Sequence, residues 1–259
     1  MDMTSLTNYR KLSDAGRRVI LPSLLACDFA NMERDIRQIE KAGGTALHLD
    51  IMDGHFVPNL SFGVPVTEAV RRTTDCVLDV HLMLSNPEEY FTSFRNAGAD
   101  GITFHLEAIA DQSVPGRNFA RAGCRVSEVP EMEKILDRTC SLLDSLHRMG
   151  VAAGLSIIPP TDVEILKPCL ERCDNVLIMS VMPGFGGQKL DTTSLAKLRW
   201  LRANAPETML RSVDGGVNAQ TLADCVLAGA TGLVMGTAVF DGTDPEARFK
   251  DYTTSMETL

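Results

Sequence analysis

The sequence predicts an α/β fold in which eight parallel strands alternate with helices and close into a (β/α)8 barrel. Short apolar segments alternate with longer helical segments along the chain. The linkers between them are mostly short, which favours parallel strands joined by right-handed crossovers. The length of 259 residues is typical of one such barrel, and no change in composition divides the chain into two domains. An open doubly wound sheet is the structural alternative.

Four strands are expected in the first half of the chain, where apolar runs end at turn residues. Asp28 or Asn31 can cap the first helix, and Gly44 ends it. The chain turns at Gly54 after the second strand, and Gly98 closes the third helix. The strands are expected at 19–26, 47–52, 76–82 and 102–106, and the helices at 31–43, 63–73 and 87–97.

The second half of the chain repeats the same alternation. Gly150 ends one helix, Thr161 caps the next, and Gly229 ends a third. Strands are expected at 151–157, 175–181, 209–213 and 233–235, and helices at 131–149, 161–171, 193–204, 219–229 and 244–257.

Two segments do not fit the alternation. Residues 1–18 form a polar N-terminal extension, which we expect to be disordered. Residues 109–130 are polar and contain Gly and Pro with little periodicity, so we interpret them as a surface excursion. The expected organisation is therefore the extension 1–18 followed by a single barrel domain at 19–259, with a surface insertion at about 109–135.

Bulk composition excludes several classes of partner. The formal net charge of −9 argues against nucleic acid and anionic membranes. No stretch approaches the roughly 20 apolar residues that a membrane span requires, and the N-terminus lacks the apolar core of a secretory signal. The seven cysteines are scattered and odd in number, which is typical of reduced thiols. These features predict a cytoplasmic protein.

Four polar side chains fall at the expected C-terminal ends of strands: His48 and Asp50 on the second, His81 on the third and Asp214 on the seventh. Residues two apart in a strand point to the same face, and in a barrel these strand ends meet at one mouth. Two imidazoles and two carboxylates suit Zn, Fe(II), Mn or Co and leave coordination positions open. Singly, each residue is more often structural.

Other polar residues near strand ends favour structural roles. Asp79 shares a face with His81 but lies one pleat deeper, so we assign it a supporting role. Capping or hydrogen bonding is the safer interpretation of a further set: Asp53, His55, His105 and Glu107.

Three glycine-rich turns follow the sixth, seventh and eighth strands, at 184–187, 214–216 and 236–237. Glycines let backbone N–H groups approach an anion closely, and barrels often bind phosphate at the last loops. No Lys or Arg lies within these turns, so main-chain donors would hold the phosphate. The alternative is that they are tight turns that require positive φ.

Other barrel chemistries find little support. No lysine lies at a strand end to form a Schiff base, and Cys27, the only cysteine near the mouth, carries no motif. No dinucleotide glycine fingerprint follows an early strand, so we expect no nucleotide cofactor.

Long motifs in this order resemble the ribulose-phosphate 3-epimerase family over about residues 18–250. They are PSLLACDF (22–29), HLDIMDGHFVPNLSFG (48–63), DVHLM (79–83), FHLEA (104–108), MSVMPGFGGQ (179–188), VDGGVN (213–218) and GTAVF (236–240). The resemblance implies a TIM barrel of the ribulose-phosphate-binding type. It also implies a divalent-metal enzyme of the pentose phosphate pathway or the Calvin pathway. Such an enzyme interconverts D-ribulose 5-phosphate and D-xylulose 5-phosphate by two-carboxylate proton transfer at C3 through a metal-stabilised enediolate.

The resemblance also implies roles for individual residues. Asp50 and Asp214 match the catalytic carboxylates, and together with His48 and His81 they match the metal ligands. Met52, Met83 and Met179 match methionines that line the pocket. The substrate contacts match Ser23, His81, Gly184, Phe185, Gly186, Gly187, Asp214, Gly215, Gly216, Gly236 and Thr237.

The sequence departs from the family pattern at the long insertion, which bears on a lid or an oligomer contact. It also departs at Pro159-Pro160 and at Met182, which leaves the choice of sugar open. A sibling epimerase of a hexulose 6-phosphate such as allulose 6-phosphate is one alternative. A non-catalytic phosphosugar-binding barrel is another. The family contains dimers and hexamers, so we expect a homo-oligomer.

Overall fold

The computed structural model describes residues 3–114, 118–126, 129–242 and 244–259. Its strands form one parallel sheet in the order β1-β8-β7-β6-β5-β4-β3-β2. An isolated parallel pair between Ser23 and His48 joins the two ends into a nearly closed barrel. The strands are β1 (Val19–Pro22), β2 (Ala46–Met52), β3 (Val77–Met83), β4 (Gly101–His105), β5 (Ala152–Ile157), β6 (Asn175–Met179), β7 (Leu210–Asp214) and β8 (Gly232–Met235).

Helices surround the sheet, and the predicted α/β alternation is confirmed. A 3-10 helix at Val163–Arg172 stands where a helix at 161–171 is expected. The α-helices are α1 (Thr4–Arg10), α2 (Met32–Lys41), α3 (Val64–Thr73), α4 (Phe91–Asn96), α5 (Leu106–Ser113), α6 (Phe119–Ala122), α7 (Met132–Arg148), α8 (Ser194–Asn204), α9 (Leu222–Ala228) and α10 (Pro245–Glu257). None of these helices has the length and apolar content that a bilayer crossing requires.

The first strand is shorter than the sequence predicts. The apolar run continues to Ala26, but β1 ends at Pro22. Oγ of Ser23 accepts a hydrogen bond from the backbone N–H of Leu25 (3.3 Å), which starts a 3-10 turn at Leu24–Ala26. A side chain that caps the next turn therefore competes successfully with strand pairing.

The expectation of disorder is wrong for residues 3–18 of the N-terminal extension. Helix α1 and the turn after it pack against the barrel with Leu6, Tyr9 and Leu12 buried, in a cluster with interior residues of several strands. The ring of Tyr9 lies where a Cβ on Gly101 would be 2.1 Å from it, so only glycine leaves room at that position. Three apolar side chains at helical spacing therefore fix an otherwise polar segment.

The expected surface excursion is also more ordered than the sequence indicates. Helix α5 occupies its beginning with Ile109 buried, and Phe119 and Val126 are buried further on. The side chain of Asn118 donates to the backbone carbonyl of His55 (2.8 Å), so the segment packs on the loop after β2. Residues 115–117 and 127–128 of the expected insertion lie outside the described residues.

The buried Tyr9 side chain predicts that α1 contributes to stability. We expect Tyr9→Ala to lower the free energy of unfolding by about 3–5 kcal/mol, the usual cost of removing a buried aromatic ring. Equilibrium unfolding in urea measures this change. Tyr90→Ala is the matched control, because Tyr90 is 44% exposed and its loss should cost less than about 1 kcal/mol. Equal costs for the two variants would contradict the packing role of α1.

Candidate active site

The structure brings together His48, Asp50, His81 and Asp214 at the C-terminal mouth of the barrel. The register of β2 and β3 sets Asp50 directly beside His81, and Asp214 ends β7. One potential ligand atom from each of the four residues lies within 4.8 Å of the others. His48 and His81 are fully buried, Asp50 is buried and Asp214 is partly buried.

Asp50 is the centre of this cluster. Its Oδ1 lies 3.3 Å from Nε2 of His48 and 3.1 Å from Nδ1 of His81, and its Oδ2 accepts a hydrogen bond from Oγ of Ser23 (2.5 Å). Burial opposes ionisation, but the two imidazoles lower the pKa of Asp50 below its ordinary value. Burial and the charge of Asp50 raise the pKa of Asp214 to about 7. The surroundings therefore shift the pKa values of the two carboxyl groups in opposite directions.

His48 supplies the observation that tests whether the cluster fits a metal. Its Nδ1 lies 2.7 Å from Oδ2 of Asp79, and Oδ1 of Asp79 accepts a hydrogen bond from the hydroxyl of Tyr9 (2.8 Å). A proton on Nδ1 leaves a lone pair on Nε2, which has no hydrogen-bond partner among the described residues although it is buried. A cation would satisfy this lone pair, so the residues fit a divalent metal ion.

A cavity of about 660 Å³ opens above the cluster. His48 and His81 lie beneath its surface, while Met52, Met83 and Met179 line it. The remaining residues matched to catalysis or substrate binding all line the cavity: Ser23, Asp50, Gly184, Phe185, Gly186, Gly187, Asp214, Gly215, Gly216, Gly236 and Thr237.

The glycine turns adopt backbone conformations that other residues rarely reach. Gly184 has φ of 126°, and Gly215 and Gly216 have φ of 106° and 64°. A Cβ on Gly216 would lie 2.2 Å from the backbone nitrogen of Leu190. The turns at 184–187 and 214–216 therefore contain glycines of positive φ, Gly236 is not among the glycines of positive φ, and all three turns line the cavity.

Comparison with known proteins gives a consistent result. The model of the family described as "Ribulose-phosphate 3 epimerase family" matches residues 19–149 and 110–240. The chain is 38% identical to the ribulose-phosphate 3-epimerase of Bacillus subtilis over 87% of this chain and 93% of that protein. It is 36% identical to a cytoplasmic isoform from Oryza sativa (90% and 92%), and 37% identical to the Schizosaccharomyces pombe protein (88% and 89%).

The chain belongs to the ribulose-phosphate 3-epimerase family. The resemblance stated from the motifs is therefore confirmed, as are the TIM barrel and the assignment of the chain as an epimerase of carbohydrate metabolism. Membership also argues against the non-catalytic binding barrel.

Some cavity residues of this epimerase were not found from the sequence. Arg248 and Tyr252 reach the cavity from α10, and Asn218 from the loop after β7. Arg248 forms an ion pair with Asp241 and donates to the backbone carbonyl of Ala238 (3.3 Å). The sequence carried a signal for it, because the first turns of a helix after the last strand lie at the mouth of a barrel.

The polar residues assigned structural roles have identifiable partners. Asp53 accepts hydrogen bonds from the backbone N–H groups of His55, Phe56 and Ser85 (2.8 Å each), so it shapes the loop after β2. Cys27 does not line the cavity, and burial followed by the charges of nearby carboxylates raises its pKa to about 12. Such a thiol is a poor nucleophile at neutral pH.

The contact between Asp79 and His48 leads to a prediction about metal binding. In Asp79→Asn, a neutral amide replaces the carboxylate that faces Nδ1 of His48, so the Nδ1–H tautomer is stabilised less and Nε2 becomes a weaker ligand. We expect the affinity for Zn²⁺ to fall about 10–100-fold, measured by competition with a chromophoric chelator.

Asp100→Asn controls for the loss of a buried carboxylate. Asp100 is 6% exposed and accepts hydrogen bonds from Arg71 and from the backbone of Leu78, away from the cluster. Its variant should bind Zn²⁺ as the wild type does. If Asp79→Asn bound Zn²⁺ equally well, the supporting role of Asp79 would be wrong.

Proposed function

We propose that this epimerase interconverts D-ribulose 5-phosphate and D-xylulose 5-phosphate with one bound divalent metal ion. The single observation that carries the proposal is the convergence of His48, Asp50, His81 and Asp214 within 4.8 Å of one another on the floor of a cavity walled by glycine turns. The names of the relatives support the sugar, since each is a ribulose-phosphate 3-epimerase.

We assign the proton transfers to Asp50 and Asp214. Inversion at a carbon next to a carbonyl requires a base on one face and an acid on the other, and these carboxyl groups both line the cavity. One removes the C3 proton and the other delivers a proton to the opposite face. Ser23 holds Oδ2 of Asp50 by donating a hydrogen bond to it. A divalent metal, when bound, would stabilise negative charge developing on the substrate oxygens.

We assign the orientation of the substrate to the part of the cavity wall that the glycine turns form. The turns at 184–187, 214–216 and 236–237 present backbone groups that can receive the phosphate. Met52, Met83 and Met179 cover the reacting region with apolar, adaptable surface. The two ends of the substrate are thus held by different chemistry, one by side-chain oxygens and nitrogens and the other by backbone N–H groups.

We also propose the broader organisation expected from the sequence. The protein comprises the extension 1–18 and a barrel domain at 19–259 with an insertion at about 109–135, and it acts in the cytoplasm as a homo-oligomer. The Oryza sativa relative is named as a cytoplasmic isoform, which supports the location.

Metal removal tests the proposed reaction directly. We expect purified protein to contain close to one divalent ion per chain and to epimerise ribulose 5-phosphate. Chelation should abolish turnover, and Zn²⁺, Fe²⁺, Mn²⁺ or Co²⁺ added back should restore it to different extents, which identifies the preferred ion. Parallel assays with allulose 6-phosphate separate the pentulose from the hexulose enzyme. Full activity after complete metal removal would contradict the proposal.

Substitution of the two carboxylates tests their catalytic roles. We expect Asp50→Asn and Asp214→Asn to lower kcat by at least about 10²–10⁴-fold, because each loses a group that transfers a proton. Asp144→Asn is the control, since Asp144 lies on the surface of α7 with a side chain 44% exposed. Circular dichroism checks that each variant folds. Near-wild-type turnover in either site variant would remove that residue from the mechanism.

A further inference from the structure

A buried chain of polar side chains lies behind His81, on the side of its ring that faces away from Asp50. Nε2 of His81 lies 2.8 Å from Nε2 of His105, and Nδ1 of His105 lies 3.2 Å from Oε2 of Glu107. All three residues are fully buried, and the ring of Phe56 packs on His105 with centroids 4.9 Å apart. The chain therefore runs from β3 through the end of β4 into α5 without contact with solvent.

Glu107 is anchored at its other oxygen by the loop after β5. Oε1 accepts hydrogen bonds from the backbone N–H of Ile158 (3.1 Å) and from the hydroxyl of Thr161 (2.5 Å). This loop is itself held by Lys197, whose Nζ donates to the carbonyls of Ile158, Pro159 and Thr161. A backbone N–H can only donate, so Oε1 must accept. Oε2 is left to face His105.

The carboxylate determines where each imidazole proton lies. Oε2 accepts from Nδ1–H of His105, which leaves a lone pair on Nε2 of His105. That lone pair accepts from Nε2–H of His81, which in turn leaves a lone pair on Nδ1 of His81. This Nδ1 lies 3.1 Å from Oδ1 of Asp50, inside the proposed metal site. The resulting tautomer of His81 is the one that can ligate a cation through Nδ1.

We propose that Glu107 is a positioning residue of this epimerase, which acts through His105 to keep His81 in its metal-binding tautomer. The inference rests on the proposed metal site and adds to it two residues that do not touch the ion. Glu107, His105 and the loop at 158–161 form a relay that spans three neighbouring strand ends. The metal site therefore depends on the loop after β5, which contributes none of the four proposed ligands.

The variant Glu107→Gln reverses the direction of the hydrogen bonds along the relay while keeping the shape of the side chain. Ile158 N–H and Thr161 O–H both donate, so the amide oxygen takes the place of Oε1 and the NH2 group faces Nδ1 of His105. Nδ1 must then accept, His105 donates from Nε2, and His81 carries its proton on Nδ1. We expect the affinity for Zn²⁺, measured by chelator competition, to fall about 10–100-fold, as is usual for groups that support metal ligands.

Asp174→Asn is the matched control. Asp174 is also buried and also accepts from a histidine, a backbone N–H and a third donor, with distances of 2.6 Å to Nε2 of His147, 2.8 Å to the nitrogen of Ala153 and 2.7 Å to Nε of Arg10. It is not among the four clustered residues. We expect it to lower the free energy of unfolding without changing the affinity for Zn²⁺.

A spectroscopic measurement reads the relay without relying on activity. ¹⁵N NMR of histidine-labelled, metal-free wild type should show the proton of His105 on Nδ1 and that of His81 on Nε2. In metal-free Glu107→Gln both protons should lie on the other nitrogen. The wild-type measurement holds even if the variant fails to fold.

Three results would overturn the relay: wild-type Zn²⁺ affinity in Glu107→Gln, equal losses of affinity in Glu107→Gln and Asp174→Asn, or a proton on Nε2 of His105 in the metal-free wild type. Failure of the wild type itself to bind Zn²⁺ would instead overturn the proposed metal site. The two failures are therefore distinguishable.

Discussion

Two carboxyl groups and two imidazoles share a small volume at the mouth of this barrel, with candidate ligand atoms within 4.8 Å of one another. In a poorly solvated interior, carboxylates this close oppose each other's ionisation. Both histidines point a ring nitrogen at one oxygen of Asp50, and in the proposed tautomers each of these nitrogens carries a lone pair. The remaining lone pairs have a use only if a cation joins them. Holding these groups close together costs free energy, which the hydrogen bonds and packing around them must offset.

Backbone geometry alone brings the four groups to one place, but it does not orient the rings. Each histidine is backed by a buried carboxylate from another element: Asp79 behind His48 and, through His105, Glu107 behind His81. Asp79 is held in turn by Tyr9 of the N-terminal helix. Hydrogen bonds therefore connect the site to helix α1, which lies outside the sheet and packs against residues of the barrel interior. Stability and the proposed metal binding would share these contacts.

The period-two alternation of a strand was enough to predict which side chains share a face. His48, Asp50 and His81 could be placed from the sequence because their positions follow from local geometry. Tyr9 could not, because its partner Asp79 lies 70 residues away and its own segment is polar. The pair His105 and Glu107 was expected to form hydrogen bonds, but the identity of the partners depends on the packing of β3 against β4 and β5. Helix α5 was missed because its apolar face is short.

Different chemistry on the two walls of the cavity suits a protein with a net charge of −9. A field of this sign attracts a cation to a cluster of carboxylates but opposes an anionic sugar phosphate. Backbone N–H groups in turns with positive φ offer local positive potential without a titratable side chain. Arg248, the cationic side chain at this cavity, is paired with Asp241, so its charge is already partly compensated. The proposed phosphate recognition would therefore depend on backbone geometry, and glycine at positions such as Gly216 would serve the chemistry as well as the turn.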